Sequence, residues 1–393
     1  MLRRMLDPGQ VPPEVARARA LSALWTFPGI LMSAFVIGWG AEAAQFVVSR
    51  GLALALLAWL QTLPEFAVEA VIAWHRDIPL MTANFTGSLR LLTGVAWPLI
   101  YFTSAWGAKK RGIRNYRVRM HREDAIGVMA LLPPLLYFVF IWAKASLTLV
   151  DSAVLLVLYG AYLWAVSRMP PEDLEEVSDL PRVPRAALGL PRPWNVVAIL
   201  GLFVLGGVVL WLVAHPFLES MLGLAVSLGV SQFVFVQWVS PFLSEFPEKV
   251  TAFNWARKEG KAPMALMNMV SSNVNQWTVL VAMIPMVYCT SLGHVAPIPF
   301  DEHQRMEILL TLAQGFLGLM LLINLEFNWY EAVGLFVLWL FQFLFPDSHL
   351  FVTGVYFAWC AVEVVRGITS QRPLTALHVL PELLRTGRLA NKP

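Results

Sequence analysis

The chain is poor in charge and in cysteine. Only 14% of its 393 residues are Asp, Glu, Lys or Arg, against roughly 25% in a soluble globular domain. The formal net charge is just +3, and the basic residues cluster in loops. They report orientation in a membrane, and no nucleic-acid partner is expected. The two cysteines, Cys289 and Cys360, lie in different apolar runs, so neither a disulfide framework nor a cysteine metal centre is implied. His-Glu-x-x-His and Gly-x-Ser-x-Gly are both missing, and no His/Asp pair is matched inside the apolar runs. Hydrolysis within the membrane therefore has no machinery, and no enzyme or resident cofactor is expected. No cleavable signal is expected either, because the first apolar run is too long.

What the chain has is apolar length. Hydrophobic residues make up 58% of it, and a spanning helix needs about 20 of them in a row. Eleven segments follow: about Ala20 into the forties, a second ending near Trp74, Leu80–Trp106, Ala125–Ala143, Leu147–Val166, Trp194–Val213, Met221–Ala256, Ala262–Tyr288, Met306–Leu325, Tyr330–Phe345 and Leu350–Val365. The fold class is an all-α polytopic membrane protein in contact with the lipid bilayer. The loop with Lys109, Lys110, Arg111, Arg114, Arg117, Arg119 and Arg122 should be cytoplasmic. The expected organisation is an N-terminal arm (1–19), a first membrane repeat (20–167), a Pro- and charge-rich cytoplasmic linker (168–193), a second membrane repeat (194–345), an extra transmembrane helix (346–366) and a cytoplasmic tail (367–393). The short loops point to a prokaryotic inner membrane.

Two stretches organise these segments: Leu60-Gln61-Thr62-Leu63-Pro64-Glu65 and Leu243-Ser244-Glu245-Phe246-Pro247-Glu248. Each proline removes a helix hydrogen bond and frees nearby carbonyls. Such backbone is tolerated in a bilayer only where it is buried in protein or lines a cavity, and a glutamate at that depth is functional by default. Each stretch is followed in the next segment by an Asn: Asn84 is 19 residues after Glu65 and Asn268 is 20 after Glu248. Leu149–Leu156, with Asp151, parallels Trp329–Phe336, with Glu331; both acids sit near segment starts and read as interfacial charges. Five segments thus repeat as five, for about ten core helices plus one. An odd number per repeat inverts the second copy, as in transporters whose site lies at the repeat interface near the midplane.

These residues resemble the cation/calcium exchanger superfamily. Its two alpha-repeats each carry a Gly-Thr-Ser-x-Pro-Glu stretch followed by Gly-Asn-x-x-Gly-Ser-Asn in the next helix. Here the second elements read Ala83-Asn84-Phe85-Thr86-Gly87-Ser88 and Met267-Asn268-Met269-Val270-Ser271-Ser272. The resemblance implies that Glu65 and Glu248 are the central calcium ligands and that Thr62 and Ser244 supply oxygens. It also implies a backbone carbonyl from Ala58. Asn84, Asn268, Ser88 and Ser272 would line the site. The implied activity is secondary active antiport by alternating access, with calcium or a related cation exchanged for sodium or protons.

The departures fall in the same place. Gln61 replaces a threonine and Glu245 a serine. Leu92 stands where the family has a polar ligand. The matching position in the second half is Gln276, or Asn275 if the register slips by one. Glu69 and Glu245 add carboxylates about one turn from the Pro-Glu glutamates, and buried carboxyls can carry protons. Arg90 is unexpected in a cation pathway and reads as half of an Arg–Glu pair, with Glu69 or Glu245 as candidate partners. Leu92 and Arg90 also support an alternative: a structural or partner-binding membrane protein that descends from an exchanger and no longer transports.

Overall fold

The computed structural model describes residues 13–47, 59–113, 116–169, 177–369 and 371–386. The described membrane part is predominantly helical, and its polarity is inverted relative to a soluble protein. Large apolar side chains such as Trp211 (80% exposed) and Leu24 (79%) face outward, while carboxylates and amides are enclosed. Lipid replaces water around such a surface, so each backbone group must be satisfied within helices.

Helix α1 (Pro13–Ala44) is followed by α2 (Leu63–His75), α3 (Ile78–Leu91) and α4 (Trp97–Lys110), then α5 (Ala125–Met129), α6 (Leu132–Lys144) and α7 (Leu149–Ser167). After the short α8 (Arg182–Leu188), the second half runs through α9 (Trp194–Leu228), α10 (Gln232–Ser244), α11 (Phe246–Arg257), α12 (Ala262–Asn275), α13 (Val281–Leu292), α14 (Glu302–Leu322) and α15 (Trp329–Leu344). Helices α16 (His349–Ile368) and α17 (Thr375–Thr386) complete the described chain. Among the described residues, six helical spans are long and apolar enough to cross a membrane, one of them made of α5 and α6 together. The central segments of each half cross as broken pairs, and those breaks build the site.

Three segment limits differ from the sequence expectation. Helix α9 does not stop near Val213; it carries Pro216 within it and ends at Gly229, whose φ of 68° suits glycine. The next segment therefore starts at Gln232 and not near Met221. The first segment begins at Pro13, so the end of the expected N-terminal arm belongs to the same helix as the spanning stretch.

The two halves correspond element by element. Helices α7 and α15 both begin with a capping box, Thr148 with Asp151 and Asn328 with Glu331. The acids read as interfacial charges are thus helix caps. Four two-residue strands clip the halves together: β1 (Val118–Arg119) pairs antiparallel with β4 (Glu326–Phe327), and β2 (Ser146–Leu147) with β3 (Ile298–Pro299). Each ladder joins the loop after the third segment of one half to the loop after the fourth segment of the other. Those loops share a membrane face only if one half is inverted.

Helices α1 and α9 pack along one another through small residues. A Cβ on Gly206 would lie 2.6 Å from Ile37 Cγ1, and one on Gly223 would lie 2.5 Å from Arg19 Cβ. Close approach of this kind is how helices associate where lipid supplies no hydrophobic drive.

Candidate functional site

The second segment of each half breaks at the same relative residue. Thr62 (φ −86°, ψ −3°) precedes α2, and Glu245 (φ −99°, ψ 4°) separates α10 from α11. Pro64 and Pro247 then occupy the first helical turn, where a missing N–H costs least. Glu65 and Glu248 follow, each in the first turn of its helix, where the helix dipole favours an anion. Carbonyls at the C-terminal end of α10 face the break from the other side, a disposition suited to a cation. From Glu65 to the end of α2 is roughly 15 Å, and from Glu248 to the end of α11 about the same, at 1.5 Å per residue. Each distance is half of a hydrocarbon core about 30 Å thick. The two helices leave the midplane toward opposite faces.

The third segments also break in register. A π turn over Leu92–Ala96 joins α3 to α4, and another over Gln276–Leu280 joins α12 to α13. π turns inside helices often mark functional positions. Leu92 and Gln276, the pair matched by the sequence repeat, open the two turns.

Thr62, Glu65, Glu69, Asn84, Ser88, Ser244, Glu245, Glu248, Asn268, Ser272, Asn275 and Gln276 are fully buried, and Gln61 is 3% exposed. Gln276 Nε2 donates to Glu65 Oε2 at 2.8 Å and to Glu245 Oε1 at 2.9 Å. Ser88 Oγ also donates to Glu245 Oε1. Ser272 Oγ donates to Glu248 Oε1, which Asn268 Nδ2 approaches at 3.5 Å; the same nitrogen lies 3.5 Å from Gln61 Oε1. Asn84 Nδ2 donates to Glu69 Oε2 at 2.6 Å. Thr62 and Ser244 turn their hydroxyls back to the carbonyls of Trp59 and Ser240, at 2.8 and 2.9 Å.

Several buried oxygens have no hydrogen-bond partner among the described residues: Glu65 Oε1, Glu69 Oε1, Glu248 Oε2, Asn84 Oδ1, Asn268 Oδ1 and Gln276 Oε1. Orphaned buried oxygens are costly; a hard cation would satisfy all of them, and protons would neutralise the carboxylates among them. Among the described residues no three His, Cys, Asp or Glu side chains form a ready metal cluster. A cation here would draw on amide, hydroxyl and carbonyl oxygens as well as carboxylates.

The sodium/calcium exchanger protein family matches the chain over residues 19–168 and 198–346, the two halves just described. The chain belongs to that family. Among solved structures, one described as the H+/Ca2+ exchanger CAX is similar over 94% of this chain and 92% of its own, at 27% identity and a TM-score of 0.86. The sodium-calcium exchanger NCX_Mj shares the fold over 85% of this chain and 99% of its own, at 18% identity and a TM-score of 0.53. Among curated proteins, none matches.

Within the exchanger, the pairing of Arg90 resolves differently from the sequence reading. Arg90 pairs with neither Glu69 nor Glu245. Its guanidinium meets Glu307 of α14, the Gln342 side chain at 3.2 Å and the Thr86 carbonyl, and lies 5.1 Å from the Trp238 ring. Glu307 also accepts from Gln237 Nε2 at 2.8 Å and meets His349 Nδ1 at 2.8 Å. That network lies on the far side of α3, so Arg90 is a packing pair and not part of the carboxylate cluster. Asn275 makes no side-chain hydrogen bond among the described residues, whereas Gln276 reaches Glu65 and Glu245. Ala58 lies outside the described residues. Finally, Lys249 escaped notice: it is 8% exposed and its ammonium contacts Glu245 Oε2. Its spacing of four from Glu245 on a helix was the available signal. Glu307 had none, being 217 positions from Arg90.

Proposed function

We propose that this exchanger is a secondary active antiporter that trades a divalent cation, calcium or a close relative, for protons by alternating access. The observation that carries this is Gln276 bridging Glu65 of one repeat to Glu245 of the other. Carboxylates from both inverted halves thereby converge at one enclosed, midplane position, where an ion contacts both repeats at once. Oxygens from Glu65, Glu248, Asn84, Asn268, Gln276 and freed carbonyls could supply much of the six to eight that calcium takes, with water completing the shell. In this reading Glu65 and Glu248 hold the cation, and Gln61, Thr62, Ser88, Ser244 and Ser272 line its shell.

Protons are favoured over sodium as the counter-ion by the donor set. Leu92 removes a polar ligand, while Glu69 and Glu245 add groups that bind protons and accept hydrogen bonds. The similarity to a structure described as an H+/Ca2+ exchanger agrees. The alternative of a non-transporting descendant rested on Leu92 and Arg90, and the pairing of Arg90 with Glu307 removes the second of these. We place the protein in a prokaryotic inner membrane on the shortness of its loops.

The test is calcium-45 uptake into proteoliposomes under an outward proton gradient or an outward sodium gradient. Uptake should follow the proton gradient and disappear in Glu65→Gln and Glu248→Gln. Uptake driven only by sodium would replace the counter-ion, and no uptake under either gradient would sink calcium exchange.

A further inference from the structure

We propose that His75 and His215 form a transition-metal site, one ligand from each repeat, that pins the two halves together when a zinc ion occupies it. The site stands apart from the carboxylate cluster, and only its effect on transport rests on the antiport reading above.

The two rings meet across the boundary between the repeats. His75 is the last residue of α2, in the first half, and His215 lies within α9, in the second. Their ring centroids are 5.0 Å apart and their planes are inclined by 40°. Two imidazoles on one tetrahedral ion, each bound through a nitrogen at about 2.0–2.1 Å, hold their ring centres about 5 Å apart. Both side chains are half-buried, so neighbours hold them in place while an ion can still reach them.

The ring nitrogens are available. His75 Nδ1 lies 2.7 Å from the Val71 carbonyl oxygen. A carbonyl only accepts, so Nδ1 of the neutral ring carries the proton and Nε2 keeps its lone pair. A backbone oxygen that fixes the tautomer in this way is the common outer partner of a metal-binding histidine. Helix α2 ends immediately afterwards at Arg76, in the left-handed region at φ 62°, with its N–H donated to the Ala73 carbonyl. His215 makes no side-chain hydrogen bond among the described residues, and its ring contact is with His75. The adjacent cation is turned away: Arg76 Nε donates to Ser291 Oγ on α13 at 3.0 Å. The Asp77 carboxylate is near enough to His75 for their charges to interact, which favours a positive ion there.

The donor atoms select the ion. Calcium takes oxygen ligands, whereas imidazole nitrogen suits zinc, copper and nickel. The pair therefore takes a different metal from the one proposed for the central site, with water completing its shell. Its position gives binding a consequence. Helices α3 and α4 cross together from the turn at Arg76–Asp77 to the basic loop after Lys110, so His75 lies on the face opposite that loop. Alternating access moves one repeat against the other, and an ion with one ligand in each ties them. The position ten residues after Glu65 is His75, and ten after Glu248 is Lys258. A charged ammonium has no lone pair to give, so the repeat does not reproduce this site on the other face.

The experiment is calorimetric titration of the purified protein with zinc chloride in excess calcium, for the parent, His75→Gln and His215→Gln. Each substitution should weaken zinc binding by at least about tenfold and leave the metal-free Tm near the parental value. Zinc binding that is absent in the parent, or unchanged in the variants, overturns the proposal. Each variant removes one ligand of two, so if one does not fold the other decides. In proteoliposomes, zinc on both faces should slow calcium-45 uptake by the parent severalfold and leave His75→Gln and His215→Gln unaffected. Histidine-dependent zinc binding that does not slow uptake overturns the pinning of the two halves. A parent that moves no calcium under any gradient overturns the antiport reading, and the metal site then stands or falls by the titration alone.

Discussion

Gln276 of the second repeat donates one side-chain nitrogen to Glu65 of the first repeat and to Glu245 of its own, at 2.8 and 2.9 Å. Those two carboxylates are buried where water cannot screen them. The bridging amide lowers their mutual repulsion and fixes their separation. Gln276→Leu should therefore weaken calcium binding by about 1–3 kcal/mol, roughly five- to 150-fold. The measurement is the calcium-dependent rise in Tm of the purified protein, which reports affinity without requiring transport. An unchanged rise would remove Gln276 from the site.

The Arg90–Glu307 pair makes a prediction about stability. Both side chains are enclosed, at 0% and 1% exposure. Breaking a buried pair from one side leaves an uncompensated charge and costs about 3–5 kcal/mol. Arg90→Met and Glu307→Gln should each lower Tm markedly. The double variant should recover more than half of the loss, because both charges leave together. Additive losses in a double-mutant cycle would contradict the pairing.

Gly87 marks the closest backbone approach in the core. A Cβ there would fall 1.9 Å from the carbonyl oxygen of Gln237 on α10. Backbone cannot rotate away as a side chain can. Gly87→Ala should force α3 and α10 apart, and overpacking typically costs at least ~1–3 kcal/mol. Because Ser88 reaches Glu245 from the next residue, calcium binding should fall along with Tm. A variant with parental Tm would mean that α3 and α10 pack less tightly than this.

Asp77 lies outside the membrane-spanning segments, in the turn between α2 and α3, and caps α3 by accepting from the Leu80 N–H at 3.0 Å. Burial pushes its carboxyl above the usual range, opposed in part by that hydrogen bond and by His75. A folded-state value above the unfolded one means that the folded protein holds the proton more tightly. The stabilising contribution is present below the ordinary value of about 3.9 and is lost as pH rises through the folded-state value. Asp77→Asn keeps a cap without the charge. Its Tm relative to the parent should therefore rise as pH increases from 4 upward and then level off. A difference that does not change with pH would show that Asp77 titrates alike in both states.

The site was partly legible before the structure because its essential features are local. A proline before a glutamate breaks a helix wherever it occurs, and two such breaks with an Asn about 20 residues on could be read directly. The contacts of Asn84 with Glu69 and of Ser272 with Glu248 span 15 and 24 residues and were not read from that spacing. The partner of Arg90 could not be read, because Glu307 belongs to a helix that meets α3 only through packing. The choice between Asn275 and Gln276 was open for a related reason: a π turn shifts which side chain faces inward, and nothing in the composition of Gln276–Leu280 announces one.

The sequence by itself determined that this is a helical membrane protein of two inverted halves, since apolar length, proline position and repeat spacing act within single segments. Only the tertiary structure decided which charges meet. Glu65, Glu69, Glu245, Glu248 and Lys249 could be paired in several ways along the chain, and in a medium that penalises every unpaired charge the arrangement of α2, α3, α10, α11 and α12 selects one. It leaves oxygens of Glu65, Glu69 and Glu248 open, closes Glu245 against Lys249 and Gln276, and sends Arg90 away from the site to Glu307.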